Sequence, residues 1–381
     1  MAVRILMKKM TAVFLLLSVL FLSCACTVTS GAYASYGKYT VTEAMYEYWV
    51  GYYKARFYAT FADYGLADGE NYDESVWDEK QDGGKSLSEQ VTEHVQEQIK
   101  EMLVCSVLYD ELGLSSDKEK NELLKNTVDE LINADITAVG SRQNLNRILG
   151  GYNMNIDSLR RAFEFEARAV IVAETLFGEG GEHAVTDAER EEYYQNNYIR
   201  VKHILIENRF KYVQNDNGEP QMDIYTGKYK TEALTDEEKA GKLELAKTAL
   251  RRAQNGEDFE ALIDEYNTDT GMGAYTDGYF FSADSVMDEN YLKASLEAKV
   301  GDTVLAETSY GLAVIKKYPL EAGMWGSETN SVFFSDMDDN IILEKKPAVY
   351  GERYKDITYG SGAAPFSDIA MLDGRLISDA G

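Results

Sequence analysis

Apolar residues recur at helical spacing through the first half of the chain and alternate or run together in short stretches through the second. From the pair Thr40-Val41-Thr42-Glu43, a Ser/Thr followed three places on by Glu, the spacing predicts a helix running to Gly65. Tyr46, Trp49, Val50, Tyr53, Phe57, Phe61 and Tyr64 fall on one side of it, a stripe that suits either a core face or a cradle for another chain. Ser86-Leu87-Ser88-Glu89 opens a longer helix to Leu112, with Gly113 as its stop. Further helices follow over Ser116 to about Asn133, Asn144 to Leu149 and Ile156 to Phe177. Gly178-Glu179-Gly180-Gly181-Glu182 has the composition of a hinge, and Thr186-Asp187-Ala188-Glu189 caps a short helix leading to Asn196.

Beyond it the period changes. Val201, His203 and Leu205 alternate along a strand. A helix capped by Thr235 with Glu238 covers Asp236 to Gln254 and ends at Gly256, and Phe259, Leu262 and Ile263 give the next one an apolar side. Between the strand and the first of these helices, Asn215-Asp216-Asn217-Gly218 is a turn signal flanked by Tyr212-Val213 and Met222-Asp223-Ile224-Tyr225, which predicts a protruding hairpin over 207–234. The last strand is Gly311 to Lys316, and the tail offers two short elements, Ser331 to Leu343 and Pro347 to Asp356.

The 381 residues exceed one typical domain, and 45% hydrophobic residues are ample for real cores. Arg4, Lys8 and Lys9 precede an apolar run, Thr11 to Leu22, too short for a stable span, so residues 1–23 read as a signal peptide. The net charge of −27, near −30 once those three cations are removed, sets nucleic acid aside as a partner and favours basic ones. The acidic loop from Ala67 to Lys85 lacks the alternation of a calcium-binding loop. Three cysteines offer no disulfide framework: Cys105 sits in an apolar helical stripe, while Cys24 and Cys26 end the signal run.

The order Val201-Lys202-His203-Ile204-Leu205-Ile206, Gly256-Glu257-Asp258-Phe259, Tyr266-Asn267-Thr268-Asp269, Gly278-Tyr279-Phe280, Met287 with Tyr291, and Gly311-Leu312-Ala313-Val314-Ile315 resembles the parvulin family of peptidyl-prolyl isomerases. The resemblance covers Arg200 to Tyr318 and implies a catalytic floor at His203 and Asp269, with Met287, Tyr291 and Phe280 gripping a proline ring and no metal or cofactor. Helical spacing would place Met287 and Tyr291 on one helix face. Two positions depart from the family: Ala313 stands where a second histidine is usual, and Asp277 where an apolar pocket residue is common. The helices before it are similar in pattern to extracytoplasmic foldases of the SurA and PrsA type, in which a C-terminal segment returns to the N-terminal domain. Phe21-Leu22-Ser23-Cys24 resembles a lipoprotein cleavage site, with Cys24, or Cys26, as the lipidated residue.

The resulting expectation is an α+β protein. It comprises a signal peptide (1–23), a spacer (24–39), a helical chaperone-like domain (40–177), a hinge and linker helix (178–198), a parvulin-like domain with a small antiparallel sheet flanked by helices (199–319), and a C-terminal segment (320–381). The expected partners are newly exported polypeptides, and the membrane through a lipid anchor on its extracytoplasmic face. Two competing expectations are a holdase that keeps the parvulin fold for peptide binding only, and a surface lipoprotein unconnected with folding.

Overall fold

A computed structural model describes residues 31–63, 74–80, 84–361 and 363. The segment expected as a signal peptide, Cys24, Cys26, Tyr64 and most of the acidic loop lie outside the described residues. Backbone contacts divide the chain into a discontinuous unit, 1–184 with 346–381, and a unit inserted into it, 185–345.

In the first unit the segment expected as spacer is strand from its first described residues. β1 (Ala32–Tyr36) and β2 (Tyr39–Thr42) form an antiparallel hairpin turned at Gly37, and β9 (Thr358–Tyr359) adds to the other edge of β1. The first helix therefore starts later than expected, as α1 (Glu43–Asp63), with the Thr42 hydroxyl accepting from the Met45 amide at 3.3 Å. Tyr46, Trp49 and Val50 are at most 4% exposed, and Tyr33 of β1 stacks on Tyr46 at 4.1 Å, so this part of the aromatic stripe is core. α2 (Leu87–Glu111) has the Ser86–Glu89 capping box read from the sequence, and Gly113 at φ 74° follows its end. α3 (Lys118–Ala138) is capped by Asp117 rather than Ser116, because the Asp117 carboxylate is the group that reaches the Lys120 amide. α4 (Arg142–Leu149) and α5 (Ile156–Phe177) follow, and Leu103, Val104, Leu145, Leu149, Leu159 and Val172 are fully buried among these helices. Cys105 is also fully buried, and burial pushes its thiol up to about 12. No described helix is long and apolar enough to cross a membrane.

The inserted unit is built on a four-stranded antiparallel sheet. Its strands are β3 (Tyr198–Ile206), β6 (Tyr279–Ser282), β7 (Thr303–Thr308) and β8 (Gly311–Tyr318), in the order β6-β3-β8-β7. The two faces of β3 have different fates. Ile204 and Ile206 bury against α7 (Asp236–Gln254) and α8 (Phe259–Tyr266) in a core with Ala246, Ala249, Phe259 and Leu262. Val201 packs on the opposite side with Phe281, Ala313 and Ile315, and His203 shares that side by strand alternation. Gly278, at φ 99°, brings the chain so near β3 that an added Cβ would lie 2.5 Å from the Val201 carbonyl oxygen, and this close pass sets the Val201–Tyr279 register.

The insertion over 207–234 is a double-turn meander rather than one hairpin. β4 (Phe210–Tyr212) pairs with β5 (Thr231–Ala233), with one turn at Asn215–Gly218, whose Asn215 side chain accepts from the Asn217 and Glu219 amides, and another where Asp223 and Gly227 close a second loop. Two further pieces lie outside the span expected for the isomerase domain and pack with it. α6 (Asp187–Asn197), capped by Thr186 with Glu189, precedes the sheet. The strand-free segment after Pro319 runs back beside it, burying Phe334, Met337 and Ile341 against Tyr194 and Phe280. The two short tail elements expected from the sequence share one helix, α10 (Met337–Tyr350), which passes through Pro347; the first expected element begins in a 3-10 helix over Glu328–Phe333 and the second ends in another over Gly351–Asp356. Lacking an N–H, Pro347 cannot donate to the Leu343 carbonyl, so the helix gives up one backbone bond there.

Candidate active site

The site starts from the β3 edge that β6 leaves unpaired. β6 pairs only as far as Val201, so the Leu205 backbone needs other partners. The loop after α8 supplies them: Asn267 Oδ1 accepts from the Leu205 amide at 2.8 Å, and the Thr268 amide donates to the Leu205 carbonyl at 2.8 Å. Asn267 also accepts from the Asp269 amide at 3.1 Å and donates to the Asp269 carbonyl at 2.7 Å. This strand-like docking leaves Asp269 little freedom and aims its carboxylate at His203.

His203 is 9% exposed, and both ring nitrogens are engaged. Nε2 lies 3.1 Å from Asp269 Oδ2, and Nδ1 lies 2.8 Å from the Tyr291 hydroxyl. The Tyr279 hydroxyl donates to the same Asp269 Oδ2 at 2.8 Å, its ring stacked on the imidazole at 5.4 Å with planes 9° apart. The Gly271 amide donates to Oδ1. The hydrogen bond from His203, with those from Gly271 and Tyr279, holds the Asp269 carboxyl well below the usual carboxylate range. Burial pushes the hydroxyls of Tyr279 and Tyr291 well above the ordinary tyrosine value, so both stay protonated. These shifts fix the proton positions. An ionised Asp269 only accepts, so Nε2 carries a hydrogen, and in the neutral ring Nδ1 is bare and receives the Tyr291 hydroxyl.

Tyr291 thus does something the sequence reading did not give it. It belongs to α9 (Glu289–Glu297), and its position there depends on Asp288, whose side chain accepts from the Tyr291 amide at 3.0 Å. Because Asp288 is the cap, Met287 lies before the helix and does not share a helix face with Tyr291, which corrects the expected i, i+4 pairing. Ala313 is buried in the apolar cluster that Tyr291 packs against, and the partner of His203 Nδ1 is the Tyr291 hydroxyl. Asp277, the other departure, does not line the cavity: its carboxylate accepts from Asn330 at 3.1 Å and its carbonyl from Arg200 at 2.6 Å.

The network forms the polar side of a cavity of about 430 Å³. Leu205, Phe280, Phe281, Met287, Tyr310 and Phe333 supply most of the apolar lining. Met287 is 37% exposed, whereas Phe280 is 2% exposed, with most of its side chain committed to the core shared with Tyr194 and Phe334. All five residues singled out in the sequence, His203, Asp269, Met287, Tyr291 and Phe280, line this cavity. Tyr279, Phe281, Tyr310 and Phe333 were missed. Tyr279 lay inside the Gly-Tyr-Phe motif and was legible there, but Phe333 had no local signal. Arg209, at the base of the meander, donates to the Ser309 carbonyl at 2.7 Å, beside the lining residues Thr308 and Tyr310. No cluster of His, Cys, Asp and Glu suited to a metal ion occurs among the described residues.

A comparison with curated proteins found no match. Among solved structures, PrsA from Bacillus subtilis is 20% identical, with 72% of this chain and 89% of that one covered and a TM-score of 0.24. The peptidylprolyl isomerase PrsA from Bacillus cereus is 17% identical, with 78% and 95% covered and a TM-score of 0.28. A SurA-like chaperone structure from Campylobacter jejuni is 13% identical, with 84% and 97% covered and a TM-score of 0.21. Residues 188–318 match the model described as a PPIC-type PPIASE domain, a span that includes α6 and every strand of the four-stranded sheet. This part of the chain is a parvulin-type peptidyl-prolyl isomerase domain.

Proposed function

We propose that the protein is an exported foldase that accelerates cis–trans isomerisation of X-Pro bonds in newly translocated polypeptides. One observation carries the reading: a satisfied imidazole–carboxylate–tyrosine network opening onto an apolar cavity large enough for a prolyl ring. Rotation about a peptide bond meets a barrier of roughly 18–20 kcal/mol, while the two X-Pro states differ by about 1 kcal/mol or less. No bond has to break. The planar amide is the more dipolar form, so an apolar cavity that strips water from it favours the twisted form. Each hydrogen of the His203, Tyr279 and Tyr291 network is already committed to a protein acceptor, and none is left to pin the planar carbonyl. Ala313 and Asp277, the two departures from the family, both have structural employment, and the catalytic reading is preferred to the holdase.

Proline-limited refolding of a model substrate tests it. The soluble chain should accelerate the slow phase, and Met287→Ala should lower that acceleration about fivefold, as expected for losing part of a half-buried side chain's apolar contact. His203→Ala should weaken it as well. Suppressed aggregation with an unchanged slow phase would restore the holdase.

The anchor is part of the same proposal and is supported by the sequence alone: Arg4, Lys8 and Lys9, the apolar run and Cys24 suit lipidation and retention on the extracytoplasmic face of the cell membrane. Cys24→Ser should move the full chain from the membrane to the soluble fraction. Release by Cys26→Ser and not by Cys24→Ser would reassign the anchor to Cys26.

A further inference from the structure

The segment after Pro319 is more than a connection from the isomerase domain back to the helical unit. It is braced at several points. The Trp325 indole and the Gly323 amide both donate to Glu191 Oε2, at 2.8 and 2.9 Å, and Arg190 forks onto Asp338 at 2.8 and 2.7 Å. Asn330, with no exposed surface, donates to Asp277 Oδ2 at 3.1 Å and to the Met324 carbonyl at 3.2 Å. Phe334 and Met337 come next, in the buried cluster. Held between Asn330 and Phe334, Phe333 has few places to go. Its half-buried ring lies 4.9 Å from Tyr275, 5.9 Å from Tyr279 and 5.8 Å from Phe280, and it lines the same cavity as His203. Tyr279 itself stacks on His203, so a continuous aromatic wall runs on from the imidazole, and one of its members, Phe333, comes from beyond residue 318, where the family match ends.

We propose that Phe333, with Tyr275 and Tyr279, forms a second subsite beside the prolyl pocket, one that selects an aromatic or large apolar side chain next to the proline of the client. The inference rests on the functional reading above and adds to it a specificity-determining residue from outside the isomerase domain. Such a side chain meets three ring faces and edges there, whereas alanine meets none of them. The cavity's charged lining consists of Asp269 and Asp288, with no lysine or arginine, so an acidic side chain gains nothing in its place.

Two series of short peptides, varied before the proline and after it, measured by NMR exchange with the soluble chain, decide the matter. In one series the wild type should prefer phenylalanine to alanine by roughly fivefold in kcat/KM, the difference residing in KM, as aromatic contacts of this kind provide. In Phe333→Ala the ratio should collapse toward one, the phenylalanine peptide losing more than the alanine peptide. Phe333→Leu, which keeps apolar volume in the event that alanine unfolds the segment, should retain an intermediate ratio. A wild type without preference in either series, or a preference surviving both substitutions, overturns the subsite. Absence of isomerisation in every peptide instead overturns the functional reading. The subsite is then judged by titration, where the phenylalanine peptide must bind the wild type more tightly than the alanine peptide, and Phe333→Ala equally.

Discussion

Replacing Tyr291 with phenylalanine is expected to lower kcat/KM for prolyl isomerisation roughly 10- to 30-fold, although the substitution removes a single oxygen atom. That hydroxyl is the hydrogen-bond partner of His203 Nδ1, at 2.8 Å, and it lies deep in the domain. Leaving a buried acceptor unpaired costs about 1–3 kcal/mol, and the neutral imidazole avoids part of that cost by turning or by moving its proton. Either change unsettles the hydrogen bond to Asp269 and the stacking on Tyr279. The ring of phenylalanine fills the same volume beside Phe281 and Ala313, so the domain should still fold. Because a loss of rate alone does not identify a positioning role, the decisive readout is the pair of ¹⁵N shifts of the His203 ring. In the neutral ring the wild type should hold the Nε2–H tautomer, and Tyr291→Phe should shift it toward a mixture. Unchanged shifts with an unchanged rate would remove Tyr291 from the network's function.

A second large effect concerns the helical unit and pH. The Trp49 indole of α1 donates to Glu166 of α5 at 2.6 Å, and Asp135 of α3 lies near enough to add to the charge there. Burial pushes the Glu166 carboxyl up to about 7 and that of Asp135 up to about 6, and Asp135 Oδ2 is buried without a hydrogen-bond partner. For a carboxyl raised by folding, the unfolded chain gives up its proton first. The advantage of the neutral buried form is therefore complete below about pH 4 and is lost as pH rises toward the folded value. For Glu166 this amounts to roughly 2–3 kcal/mol between pH 4 and 7. Melting of the helical unit should thus occur at a higher temperature at pH 5 than at pH 7.5, and Glu166→Gln should flatten much of the difference. Asp269 and Glu189 act in the opposite sense, since hydrogen bonds and, for Glu189, the Lys345 ammonium hold both below their ordinary values. Their stabilisation is present above about pH 4 and lost as pH falls further, so the two windows do not overlap. A melting curve for Glu166→Gln parallel to that of the wild type would exclude Glu166 as the source.

How much the sequence disclosed depended on the range of the interactions. The capping boxes at Ser86, Thr186 and Thr235 involve side chains three residues apart, and each begins the helix read from it. The order of motifs from His203 to Ala313 placed the sheet because a short domain whose strands and helices follow closely in the chain leaves its pattern in the spacing. Failures came where a distant partner decided the outcome. Ala32 to Tyr36 looked like spacer because the strand that covers its far edge, Thr358 and Tyr359, stands more than three hundred residues away. Met287 was given a helical position because the periodicity fits, but Asp288 competes as the cap and wins. Tyr291 was read as a hydrophobic grip because its ring is what spacing sees, whereas its hydroxyl matters only once His203 is opposite. Asp277 looked like a defect until Asn330 supplied its partner.

The pairing of β1 with β9 has a consequence for how the protein is assembled. Joining Ser35 to Thr358 directly from an unfolded chain means closing a very long loop, with an entropic penalty that grows with its length. The inserted unit removes most of that span if it forms first, because its own ends are tied together: Glu189 near its start holds Lys345 at its end at 2.6 Å. Once that tie exists, the remaining strands behave as neighbours on a much shorter chain. The amino-terminal strands, although synthesised first, complete their sheet only after nearly all the rest of the chain has been made.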